Sequence, residues 1–259
     1  MTRHSLAAIA ALLLIACLSC GPDRVADGPP VRVLAAASLG DVMRELAIDY
    51  RAQGGAVEIS EGPSGALAVQ VRRGVPSEIV VFAGQRPMDE LERAGFLEPG
   101  SRINLLSNSL IIVVRDTYGG NVTSLADLAE RFEGKIAIAD PDLAPAGEYA
   151  IAALQSAGVL ERVQGRLVRS LDVRAATASV SLGTADAAVV YTTDAIGVEN
   201  IRVAGTIPPE TYPEIVYPAA VLNGARDLDG AHRFMEYLKS ERASATFRSH
   251  GFTRLAAMR

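Results

Sequence analysis

The chain has 259 residues, 49% of them hydrophobic, 21% charged and only 5% aromatic, with no tryptophan. Such a composition suits one large globular domain or two modest ones and excludes extended disorder. A formal net charge of −5, with no basic run and no stripe of arginine and aromatic residues, excludes the usual pattern of a nucleic-acid partner.

In chain order, residues 1–20 read as an export signal. Arg3 and His4 make a short polar start and Leu6–Ala16 an apolar run too short to span a bilayer. Leu14-Ile15-Ala16-Cys17 resembles the bacterial lipobox, in which cleavage leaves a lipid-bearing N-terminal cysteine; Cys20, after Cys17-Leu18-Ser19, fits that pattern less well. Cys17 is therefore the expected anchor of a mature protein on the extracytoplasmic side of a membrane. With only these two cysteines, the folded part has no disulfide framework. Residues 21–30 are polar and rich in Gly and Pro, the composition of a linker.

From Val31 onward, short apolar runs alternate with amphipathic ones. Strands are expected at 31–36, 56–60, 79–83, 110–114, 135–139, 187–190, 201–204 and 215–222. Helices are expected at 39–52, 66–73, 88–94, 125–132, 149–157, 173–182 and 231–238. The alternation predicts an α/β fold with mostly parallel sheets covered by helices on both faces. Two long extended runs, 108–114 and 214–221, read as crossings between two lobes: 31–107 with 217–259 in lobe one, 108–216 in lobe two. A cleft hinged on two strands is a natural small-ligand site.

Five places offer hydrogen-bond donors to such a cleft. Val31–Ala37 runs through three small residues into Ser38, which opens the first helix; its hydroxyl and the free N–H groups of a first helical turn can hold an anion without a cationic side chain. Serine is also a preferred helix cap, and taken alone capping is the simpler account of Ser38. Ser64, in Glu61-Gly62-Pro63-Ser64-Gly65-Ala66, repeats the arrangement. Ala146 and Gly147 follow a Pro-punctuated loop, Val173 follows the obvious cap Asp172, and Tyr191 emerges where an apolar strand ends. Glu61 and Asp172 would repel an anion and are expected to point away from it, while Arg174 reads as part of a solvated helix face.

Catalysis finds no support. There is no G-x-S-x-G elbow around Ser38, no P-loop, and no His or Cys near Asp140 and Asp142 to build a metal site. No enzyme activity, cofactor or resident metal is expected.

Taken together, the segments resemble the periplasmic molybdate-binding proteins, the substrate-binding components of molybdate ABC transporters. The resemblance spans about Val31 to Phe252. It rests on an ordered series: Ala-Ala-Ala-Ser-Leu at 35–39, Pro-Ser-Gly-Ala-Leu-Ala at 63–68, Asn-Ser-Leu at 108–110 and Asp-Pro…Pro-Ala-Gly at 140–147. Asp-Val-Arg at 172–174, Val-Tyr…Asp-Ala at 190–195, Tyr-Pro at 217–218 and Gly-Phe-Thr at 251–253 complete it. It implies a type II periplasmic-binding-protein fold with two crossover strands as hinge. By motif match it also implies that Ser38, Ser64, Ala146, Val173 and Tyr191 hold molybdate or tungstate. The partner it implies is an ABC permease, served by a monomer. The second loop departs from the family, whose familiar members carry Ser and Thr where this chain has Gly65-Ala66. Receptors for another tetrahedral oxyanion such as sulfate, and enzymes or sensors on the same two-lobed fold, are the alternatives to be weighed.

Overall fold

β1 (Val31–Ala36) sets the pattern of the first lobe, in a computed structural model that describes residues 29–255. The expected signal, the expected anchor Cys17, Cys20 and most of the 21–30 linker lie outside the described residues. Along β1, Val33 and Ala35 face one core and Leu34 the other, the period of two expected of a strand buried on both faces. The first core is closed by Val42, Met43 and Leu46 of α1 (Gly40–Ala52), Phe234 and Leu238 of α8 (Leu228–Lys239) and Phe247 of α9 (Glu241–Ser249). The second is closed by Leu67, Ala68 and Val71 of α2 (Ser64–Arg72) and by Met88 and Leu91 of α3 (Gln85–Arg93).

In this six-stranded sheet, β1 lies between β2 (Val57–Gly62) and β3 (Ile79–Val81), parallel to both. β10 (Val216–Val221) pairs antiparallel with β3 and with β4 (Ile103–Ser107), and β11 (Thr253–Arg254) closes the edge against β4. The chain leaves after β4 and returns with β10. Between them, β5 (Leu110–Arg115), β6 (Ile136–Ala139), β7 (Leu167–Ser170), β8 (Ala187–Tyr191) and β9 (Ile201–Thr206) form a second, five-stranded sheet in the order β7-β6-β8-β5-β9. The helices of this lobe are α4 (Leu125–Glu130), α5 (Pro145–Ser156), α6 (Leu160–Val163) and α7 (Val173–Ser181).

The result is the two-lobed, helix-covered α/β fold that the alternation predicts, with one correction. Parallel pairing is confined to the βα half of each sheet; β10 in one lobe and β5 in the other pair antiparallel with both neighbours. These two strands follow the crossings, and a strand entering a sheet from the other lobe is not bound by the right-handed βαβ rule that makes neighbours parallel.

Candidate functional site

Four helix starts and one strand end meet between the lobes. β1 ends in a 3-10 turn, Ala37–Leu39, that runs straight into α1, so Ser38 sits inside a first turn and not at the cap position. Its Oγ lies 3.3 Å from the Oη of Tyr217 and makes no capping bond. Ser64 is likewise the first residue of α2, with Pro63 before it, and its buried Oγ accepts from the N–H of Ala83 at 3.0 Å. Capping, the simpler account of both serines, is therefore excluded. On the other lobe, Pro145 and Ala146 open α5, and Val173 opens α7 behind Asp172, whose carboxylate accepts from the N–H of Ala175 at 2.9 Å. Ser38, Ser64, Ala146 and Val173 all stand where an α-helical or 3-10 N–H has no intrahelical carbonyl to reach.

These residues and Tyr191 enclose one cavity of about 10 Å³, walled otherwise by small side chains such as Ala36, Ala37, Gly62, Ala83 and Ala144. No cationic side chain lines it; its single charged neighbour is Asp172, occupied as a cap. The helix dipoles supply positive potential there in place of formal charge. Tyr191 is fully buried, and burial pushes its phenol well above the ordinary value, so it stays a neutral donor. Its proton goes to the carbonyl of Ala83 in the opposite lobe, at 3.1 Å. All five residues singled out from the sequence thus converge.

The lobes meet around this cavity. The N–H of Gly65 donates to the carbonyl of Leu143 at 2.9 Å, and a Cβ on Gly65 would stand 2.7 Å from that oxygen. This contact gives a physical reason for glycine at position 65. Arg86 Nε reaches Glu148 across the gap at 2.9 Å. Arg174, far from a merely solvated face, bridges to Asp41 at 3.1 Å and to Glu61 at 3.8 Å, and Glu61 is also paired with Arg44. The two acidic groups that would repel an anion, Glu61 and Asp172, are thereby committed elsewhere.

Outside the small cavity lies a wider opening of about 710 Å³, bordered by Asp41, Glu61, Arg174, Asp194 and His250. Asp194 was visible in the sequence only as part of the Val-Tyr…Asp-Ala motif, with no role assigned to it. One of its carboxylate oxygens is buried without a hydrogen-bond partner among the described residues, and its carboxyl is pushed up to about 8, by burial first, with Arg174 opposing. Tyr217 and Asn108 were visible only as parts of the Tyr-Pro and Asn-Ser-Leu motifs; they form the second layer behind Ser38.

The family model described as bacterial extracellular solute-binding protein matches residues 31–253. The chain belongs to that family. The molybdate-binding protein of Escherichia coli (strain K12) is 31% identical over 238 residues, covering 89% of this chain and 91% of that protein. A putative ABC transporter substrate-binding lipoprotein of Bacillus subtilis (strain 168) is 30% identical over 252 residues, 96% of each. Among solved structures, the periplasmic molybdate-binding protein of Azotobacter vinelandii superposes with a TM-score of 0.79 at 25% identity, covering 87% of this chain and all of that one. Membership makes this an extracytoplasmic solute-binding protein and not an enzyme, and the fold is that of the periplasmic binding proteins.

Proposed function

We propose that the solute-binding protein captures molybdate or tungstate between its lobes and delivers it to the membrane permease of an ABC importer. The observation that carries this reading is the cavity itself, where first-turn N–H groups from four helix starts and three hydroxyls converge with no cationic side chain. Ser38, Ser64, Ala146, Val173 and Tyr191 are the proposed ligand residues. Similarity to the molybdate-binding proteins of Escherichia coli and Azotobacter vinelandii supports the choice of ion.

A site made of donors favours a fully deprotonated tetrahedral dianion, because an oxygen bearing a proton needs an acceptor. A mismatch of this kind leaves a buried polar group unpaired and costs about 1–3 kcal/mol, enough to disfavour hydrogen phosphate roughly tenfold or more. Sulfate is a bare dianion too, so size decides: the larger ion touches both lobes at once, and closure around it completes the surface a permease reads. Residues 31–107 with 217–259 are proposed as one lobe and 108–216 as the other, in a monomer tethered through lipid on Cys17. Replacing Cys17 by Ser should abolish lipid labelling and membrane association.

Titration calorimetry of the purified mature protein tests the ligand. Saturable binding of molybdate and tungstate, with sulfate far weaker, is the expected result. Clear binding of sulfate with no saturation by molybdate would overturn it.

A further inference from the structure

Behind Ser38 lies a short chain of hydrogen bonds whose directions are forced. The side-chain oxygen of Asn108 accepts from the N–H of Ser109 at 2.9 Å, which fixes the orientation of the amide and turns its NH2 inward. That NH2 donates to Thr193 Oγ1 at 2.9 Å and to Tyr217 Oη at 3.1 Å. An amide NH2 cannot accept, so the proton of the fully buried Tyr217 phenol has Ser38 Oγ, 3.3 Å away, as its acceptor among the described residues. Burial holds that phenol well above its ordinary value, so the proton is always there to be given. Once Ser38 Oγ accepts from Tyr217, its own proton must point elsewhere, and elsewhere is the cavity. Ser64 is constrained in the same sense by a different group, since the Ala83 N–H that occupies its Oγ can only donate.

We propose that Asn108 and Tyr217 are positioning residues that make Ser38 a donor toward the bound anion, and that this enforced polarity is what discriminates against oxyanions carrying a proton. The inference rests on the oxyanion reading above and adds the residues that set its selectivity. Asn108 and Tyr217 sit at the two places where the chain crosses between lobes, so the hinge and the polarity of the site share one hydrogen-bonded cluster. Without the phenol, the Ser38 hydroxyl is free to rotate, and it can turn its proton away from the cavity and accept there from a protonated oxygen.

Hydrogen phosphate and sulfate have nearly the same shape and, at neutral pH, differ chiefly in that proton, so their affinity ratio reads polarity where a loosened site would move both together. The experiment is competition calorimetry at pH 7, with molybdate displaced by sulfate or by phosphate. In Tyr217→Phe the phosphate-to-sulfate affinity ratio should rise about tenfold over wild type. Asn108→Ala should move it in the same direction and supplies the test if the tyrosine variant does not fold. In a Ser38→Ala background, Tyr217→Phe should leave the ratio unchanged, because the residue through which it acts is gone. An unchanged ratio in folded Tyr217→Phe or Asn108→Ala, or a shift that persists without Ser38, overturns the relay. A wild-type protein that binds no tetrahedral oxyanion overturns the functional reading beneath it, which is a different and separately visible result.

Discussion

Substituting Gly65 by Ala should cripple anion binding while leaving the fold intact. The new Cβ would lie 2.7 Å from the carbonyl oxygen of Leu143 and 3.3 Å from its carbon, both backbone atoms of the opposite lobe that cannot swing aside. Relief requires the lobes to part. Parting breaks the Gly65 N–H bond to Leu143, at 2.9 Å, and strains the Tyr191 bond to Ala83, at 3.1 Å, on the same rim. At about 0.5–1.5 kcal/mol each, these contacts are worth roughly 1–3 kcal/mol of closure, or about 5- to 150-fold in affinity. Gly65 is the second residue of α2 and has an ordinary helical environment, where alanine is the better helix former by about 1 kcal/mol. The thermal midpoint of the unliganded protein should therefore stay level or rise. Calorimetric titration with molybdate, paired with thermal unfolding, reads both quantities. A folded Gly65→Ala protein that binds within twofold of wild type would refute the claim that closure at this contact drives binding.

Three further outcomes follow from the site. Tyr191→Phe removes a cavity hydroxyl that donates to Ala83 here and would turn its proton to the anion on binding; it should weaken molybdate binding by about 1.5–3 kcal/mol in calorimetry, and unchanged affinity removes Tyr191 from the site. Arg174→Ala should weaken it by less than about fivefold, because Arg174 forms half-exposed ion pairs at the mouth and no part of the cavity wall; a hundredfold loss would make it a ligand. Asp194 has its folded carboxyl raised from 3.8 to about 8, so the folded state holds a proton that the unfolded chain has released. Its stability contribution is complete below about pH 4 and is lost as pH rises through about 8. Asp194→Asn should accordingly stabilise the protein at pH 9, by on the order of a few kcal/mol, and not at pH 4. Urea unfolding showing the same wild-type-to-variant gap at both pH values would contradict this.

Much of the architecture was legible because burial on both faces leaves continuous apolar runs such as Leu110–Val114 and Ala187–Val190, and because α1 and α7 keep a clear helical period. Elements without such contrast were missed. β4 is interrupted by Asn104 and abuts the next apolar run, β7 is a four-residue edge strand holding Arg169, and α9 buries only Ala243, Ser244 and Phe247 beneath a polar surface. The five cavity residues were found as donors at element ends, a local property that sequence carries well. Their hydrogen-bond partners were not. Tyr217 lies 179 positions from Ser38, Ala83 lies 108 from Tyr191, and the burial of Asp194 comes from its surroundings; such pairings exist only after the lobes assemble. The same holds for Gly65, whose reason is a carbonyl in the other lobe.

The most direct test of the central claim is a crystal structure of the protein grown with tungstate, with the metal located by anomalous diffraction. The account predicts a single tungsten position inside the small cavity, its oxygens within hydrogen-bond distance of the hydroxyls of Ser38, Ser64 and Tyr191 and the N–H groups of Ala146 and Val173. Tungsten found instead in the outer opening beside Arg174 and His250, or nowhere in a saturated crystal, would contradict it.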